Sequence, residues 1–164
     1  QGGTNALLAA AAYPETFKAV ITWAGSVTGK TDSDSFKEQY AIAKKDGFYV
    51  QEYDWREPLH VGLRWDEENM KTDKLAETAK IEAPILAIQG MKDTSVTPDN
   101  AEKIVEVAKN EATRAYFIED CDHTFNVFSG DYTAINEAIQ AGIDFVKEVF
   151  GQEQAPADEA VAER

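Results

Sequence analysis

Three short strand-like runs constrain what this 164-residue chain can fold into. Phe17–Trp23 (FKAVITW) is mostly apolar and β-branched, Pro84–Gln89 (PILAIQ) is a short buried run ending at Gly90, and Arg114–Ile118 (RAYFI) is the next. A near-continuous apolar run, without alternating polar residues, suits a strand covered on both faces, which is the condition of a parallel sheet. Helical patterns stand between and around these runs. Thr4–Ala12 is a strong helix former stopped by Tyr13-Pro14, because a residue before proline avoids the helical region. Thr97-Pro98-Asp99 reads as a helix start, with a capping hydroxyl, proline at the first helical position and an acid in the first turn. Ala101, Ile104, Val105 and Ala108 then follow on one face, and Ile135, Ala138, Ile139, Phe145, Val146 and Val149 mark a final amphipathic helix. Helix, strand, polar insertion, strand, helix, strand, helix is an α/β order whose crossovers are right-handed and whose sheet is parallel.

Residues 31–79 differ from the rest, being polar and charged. Asp32–Lys45 reads as a helix with Gly47 as its stop. Phe48–Asp54 is ambiguous, with a short strand as one reading. Trp55, His60 and Trp65 fall in an irregular stretch, and Asp66–Lys80 is helical again. Residues 151–164 carry little to bury and read as a disordered acidic tail. The length suits one domain.

Thirty acidic against sixteen basic residues leave a formal charge of −14, which opposes binding to nucleic-acid phosphates and to anionic lipid surfaces. No run is long and apolar enough for a membrane span. A single cysteine, Cys121, excludes an intramolecular disulfide, and with only two histidines it excludes a thiolate-rich zinc cage. No metal and no cofactor are called for. The chain opens on Gln1-Gly2-Gly3 and goes straight into a helix, with no basic leader in view, like a fold entered halfway; a cytoplasmic setting is favoured.

In open α/β sheets functional groups gather at the carboxyl edge. Asp93 follows the strand Pro84–Gln89 in the turn Gly90-Met91-Lys92-Asp93-Thr94. His123 follows Arg114–Ile118 in Asp120-Cys121-Asp122-His123-Thr124-Phe125. Loops after neighbouring parallel strands meet at one edge, so the carboxylate could orient the imidazole, which is the back half of a Ser-His-Asp triad. Taken singly, each has an ordinary explanation. An Asp in a glycine turn commonly bonds its own backbone, and a lone His is commonly a surface residue. Their placement at two successive strand ends favours the pair. Cys121 reads as a small core or loop residue, since Asp120 and Asp122 beside it would raise a thiol pKa. His60 reads as structural or substrate-lining.

The opening fits the same scheme. In the nucleophile elbow Gly-x-Ser-x-Gly, the serine sits on a tight strand-to-helix turn that needs small residues around it. Gln1-Gly2-Gly3 leading into a helix matches the segment just after such a serine, with Gln1 as the second x and Gly2 as the closing glycine.

From these residues the chain resembles the α/β-hydrolase superfamily, most closely its dienelactone-hydrolase-like and prolyl-oligopeptidase-like esterases and peptidases. The matching segments are QGGTNALLAAAAYPETFKAVITWAGSV, APILAIQGMKDTSVTP and FIEDCDHTFN, with the last helix, and they cover most of residues 1–150. The resemblance implies an orienting acid at Asp93, a general base at His123 and an oxyanion-hole donor in the backbone N–H of Gln1. It also implies a partial hydrolase domain over residues 1–150, with a cap insertion over about residues 28–79. The serine position would lie one before Gln1, and none of Ser26, Ser33, Ser35, Ser95 or Ser129 sits in an elbow. The reading is therefore a C-terminal part of a serine hydrolase cleaving carboxylic esters, or peptides, with a small-molecule ester or peptide as substrate. This part alone is expected to be inactive, and the apolar edge of Phe17–Trp23 to be prone to aggregation. The alternative is a non-catalytic hydrolase-like module that recruits a partner by strand addition. A flavodoxin-like or response-regulator-like domain ranks last, because no phosphate-binding glycine loop and no acidic cluster at the first strand end are present.

Overall fold

A computed structural model describes residues 1–29, 31, 33–53 and 56–152, apart from the side chain of Gln152. Along the chain come α1 (Gly2–Ala12), β1 (Val20–Trp23), α2 (Asp34–Asp46), β2 (Phe48–Gln51), β3 (Leu59–Gly62), α3 (Leu63–Lys71), α4 (Lys74–Thr78), β4 (Ile85–Gly90), α5 (Asp99–Val107), β5 (Arg114–Ile118) and α6 (Thr133–Gln152). The chain forms two compact units, one of residues 1–27 with the chain from Leu75 onward, the other Thr28–Lys74.

The first unit is a three-stranded parallel sheet in the order β1-β4-β5, with helices against it. All six residues of the central strand β4 are buried, and the first four alternate between two cores. Ile85 and Ala87 join Leu7, Val20, Ala101 and Ile104 on the face that also holds α1 and α5. Leu86 and Ile88 join Ile118, Phe125, Ala138 and Phe145 on the face of α6. A strand with a core on each side needs apolar residues at every position, hence the unbroken PILAI.

The boundaries depart from the sequence reading in instructive ways. β1 begins at Val20, whose N–H donates to the Pro84 carbonyl as the first rung, while Phe17 stays partly exposed. Thr97 does not cap α5. The helix starts at Asp99 with Pro98 as the preceding residue, and the Thr97 hydroxyl instead accepts from the side-chain amide of Asn100. Asn100 is buried and its Oδ1 takes the N–H of Val27, which ties the start of α5 to the chain after β1. On α6, Ala138 and Phe145 are buried but Ile139, Ile143 and Val146 are not. With Ile21 and Trp23 they line an open groove of about 470 Å3. α6 runs to Gln152, two residues into the expected tail, and the remainder of that tail lies outside the described residues.

The second unit holds α2, the antiparallel hairpin β2-β3 and α3. The Ser33 hydroxyl accepts from the Phe36 N–H to start α2, and Gly47, at φ +87°, turns the chain out of it. A side chain is strained at that φ, so glycine is the natural stop. The reading of an irregular stretch around His60 and Trp65 is corrected here. His60 lies in β3, opposite Val50 and stacked on Phe48 with ring centroids 4.7 Å apart, and Trp65 lies in α3; Trp55 falls outside the described residues. Asp66–Lys80 is likewise two helices. Thr72 takes an extended backbone and its hydroxyl donates to the Glu68 carbonyl, closing α3 before α4 begins. Asp66 is buried, and loss of solvation holds its carboxyl above the usual carboxylate range.

Candidate active site

β4 delivers Asp93. The strand ends at Gly90, and the following turn is stitched to the loop after β5. The Met91 N–H donates to the Ile118 carbonyl and the Lys92 N–H to the Cys121 carbonyl, at 2.9 Å each. The turn then wraps the Asp93 carboxylate. The N–H groups of Ser95 and Val96 donate to Oδ1, both at 2.8 Å. The side-chain amide of Gln89 donates to Oδ2 at 3.1 Å, and His123 Nδ1 lies 2.7 Å from the same oxygen. The other groups bonded to this carboxylate, two backbone N–H groups and the Gln89 amide, are donors, which assigns Asp93 as the acceptor and His123 Nδ1 as the donor in this contact. Charge-assisted bonds of this kind are the strong ones. The carboxylate side chain is 0 % exposed and the imidazole 41 %, which leaves Nε2 as the nitrogen free to meet a reactant.

β5 delivers His123 through a loop that clamps itself. Asp122 Oδ1 accepts from the Thr124 N–H, the Thr124 hydroxyl and the Asn126 N–H. These bonds to Asn126 and Thr124 hold the Asp122 carboxyl below the usual range. Asn126 answers with its own amide, Oδ1 accepting from the Asp122 N–H and Nδ2 donating to the Asp120 carbonyl. Phe125 and Asn126 both sit in the left-handed region, at φ +55° and +60°. Asparagine tolerates that backbone, whereas phenylalanine does so at a cost. The Phe125 side chain is buried, with its ring 5.0 Å from that of Trp23 at the end of β1.

The same sheet edge receives the start of α1. A Cβ on Gly3 would lie 2.6 Å from the Gly25 Cα and 3.3 Å from the Trp23 carbonyl oxygen, so the helix begins pressed against the chain just past β1. The Thr4 hydroxyl donates to the Ser26 carbonyl at 2.7 Å. Gln1 is the exposed residue before the helix, and its carbonyl accepts from the Asn5 N–H. The first turn of a helix carries N–H groups without intrahelical partners and a positive dipole end, features that suit developing negative charge.

Asp93 and His123 are thus brought together, and Gln1 stands at the edge where their strands end. Cys121 is fully buried behind them, where burial and the charges of Asp122 and Asp93 push its thiol up to about 11. His60 belongs to the second unit. Gln89 and Asn126 were not singled out from the sequence. Gln89 had a visible signal as the polar residue in an otherwise apolar strand; Asn126 had none. Among the described residues no set of three or more His, Cys, Asp and Glu side chains is gathered for a metal, and no helix is long and apolar enough to cross a membrane.

Residues 1–153 match the model of the prolyl oligopeptidase family. No curated protein sequence matches with significance. The fold is similar to that of Est1E from Butyrivibrio proteoclasticus (TM-score 0.64, 16 % identity, 91 % of this chain and 58 % of that one). It is also similar to the esterase domain from a Rhodothermus marinus protein (0.57, 19 %, 85 % and 57 %). The Paleococcus ferrophilus monoacylglycerol lipase is a third such structure (0.58, 17 %, 74 % and 56 %). This chain spans less than three fifths of the length of each.

Proposed function

The chain belongs to the prolyl oligopeptidase family, within the α/β-hydrolase superfamily, and from that premise we propose that it carries the acid and the base of a serine hydrolase acting on carboxylic esters. The observation that carries the reading is the Asp93–His123 contact, a fully buried carboxylate 2.7 Å from the inner nitrogen of a half-exposed imidazole. A buried acid facing an accessible base is the polarity that nucleophile activation needs.

In this mechanism the nucleophile is a serine immediately before Gln1, in the turn that leads into α1. Its Oγ bonds to the ester carbonyl carbon as its proton passes to His123 Nε2. Asp93 holds the ring and stabilises the imidazolium. The carbonyl electrons collect on oxygen, facing the backbone N–H of Gln1 at the start of α1. They return as the alkoxide departs, taking the proton from Nε2, and water then releases the acid by the same sequence. Oxyanion stabilisation of this type is worth roughly 10²–10³ in turnover per donor. The insertion of about residues 28–79 is assigned the selection of the acyl or leaving group. Ester is preferred to peptide because the solved structures named above are described as an esterase and a lipase.

The test is hydrolysis of p-nitrophenyl esters by the full-length polypeptide and by its H123A and D93N variants. Loss of about 10⁴-fold in kcat on D93N, and at least as much on H123A, is expected from the triad precedent. Turnover that survives H123A would overturn the proposal.

A further inference from the structure

Gln89 occupies the fifth position of β4, after Ile85, Leu86, Ala87 and Ile88, and is 1 % exposed. Its side-chain nitrogen faces three acceptors, Asp93 Oδ2 at 3.1 Å, the Val96 carbonyl at 3.0 Å and the Gly90 carbonyl at 3.2 Å. Turning the amide over would set its oxygen against all three, so electrostatics fixes the orientation. The consequence is that Oε1 is buried with no hydrogen-bond partner among the described residues. Buried polar atoms are normally satisfied, and an exception in an otherwise apolar strand calls for a reason. An aliphatic side chain here would avoid the orphaned acceptor and continue the two-sided core.

The reason lies in what the two N–H groups hold. One end of the 93–96 turn is the Asp93 carboxylate and the other is the Val96 carbonyl, and the amide ties both to the strand. Asp93 Oδ1 is already taken by the N–H groups of Ser95 and Val96. The Gln89 bond therefore fixes the remaining freedom of the carboxylate, the aim of Oδ2 at His123 Nδ1. We infer that Gln89 is a positioning residue of the hydrolase site, acting through Asp93 to hold Oδ2 against the imidazole.

This inference rests on the reading of Asp93 and His123 as acid and base, and the test separates the two. In the full-length polypeptide, Q89M keeps the side-chain length and removes both donors. It should lower kcat about tenfold to a hundredfold, the usual cost of losing an outer hydrogen-bond partner, with KM unchanged. In a D93N background the same substitution should change kcat by no more than about twofold, because residues acting through one another do not add. The hydrogen-bonded Nδ1 proton of His123, assigned by its absence in H123A, should shift or vanish in Q89M while the backbone amide spectrum holds. A folded Q89M with unchanged kcat and an unmoved Nδ1 proton overturns the inference, as does a full further loss on top of D93N. If Q89M does not fold, Q89H returns one donor in a polar ring and should keep the Nδ1 proton; its loss there counts against the inference. If the polypeptide turns over no ester, the enzymatic reading fails, while the Nδ1 proton of Q89M still decides whether Gln89 aims Asp93.

Discussion

Gly90 and Cys121 meet backbone to backbone, so closely that a Cβ on Gly90 would lie 2.9 Å from both the carbonyl carbon and the Sγ of Cys121 and nearer still to the carbonyl oxygen. The contact joins the end of β4 to the loop after β5, and so sets the separation of Asp93 and His123. Gly90→Ala must push these two loops apart. The expected cost is about 1–3 kcal/mol of stability, typical of an overpacked core. The Asp93–His123 bond should weaken with it. Denaturant unfolding and the His123 Nδ1 proton resonance measure the two effects, and an alanine variant with both unchanged would show that the loops yield freely.

Cys121 should resist alkylation. The thiolate is the reactive form, and a buried thiol pushed up to about 11 holds almost none of it at neutral pH. Native protein at pH 8 should react with a thiol reagent far more slowly than the same protein in denaturant. Stoichiometric labelling within minutes under native conditions would contradict this.

Asp66 makes the second unit lose stability as pH rises rather than as it falls. Its carboxyl is held above the usual range by burial, so the folded state binds this proton more readily than the unfolded chain. Its contribution is then complete below the ordinary carboxylate value of about 3.9 and is lost as pH rises through the higher folded value. Asp66→Asn should be more stable than the parent at neutral pH, with the advantage shrinking as the solution is acidified. Melting temperatures from about pH 3 to about pH 8, an interval that begins below the ordinary carboxylate value, read this directly. A constant difference at every pH would assign the effect to something other than ionisation.

Asn126 does two things that two substitutions separate. Glycine at this position keeps the left-handed backbone but loses the bonds to Asp120 and Asp122, whereas alanine loses both. Alanine should be the worse by about 1 kcal/mol, the cost of a side chain in that region. Equal stabilities of N126G and N126A in urea would remove the backbone argument.

The β1 edge and the groove beside it bear on solution behaviour. Among the described residues β1 pairs on one side only, with β4, and Ile21, Trp23, Ile139, Ile143 and Val146 remain accessible next to it. An unpaired apolar edge invites association. The 164-residue chain by itself should self-associate with rising concentration in sedimentation experiments. A strictly monomeric, cooperatively melting species would count against this, as would turnover of p-nitrophenyl esters against its expected inactivity.

Periodicity was the part that could be read along the chain. PILAI has no polar alternation, so β4 had to be covered on both faces, and the helix–strand order made the sheet parallel. That topology alone predicted Asp93 and His123 at one edge, because parallel neighbours such as Gly90 and Ile118 end together. The β2-β3 hairpin was weakly legible because its residues are half-buried and rely on pairing across strands more than on pattern. The partners of the polar groups were not legible at all. Thr97 serves Asn100, Gln89 serves Asp93 and Gly90 makes room for Cys121. Solvent-averaged patterns such as amphipathicity repeat along a segment and survive in one dimension. A hydrogen bond depends on tenths of an ångström between particular atoms, whether near or far along the chain, and only the packed tertiary structure sets that distance.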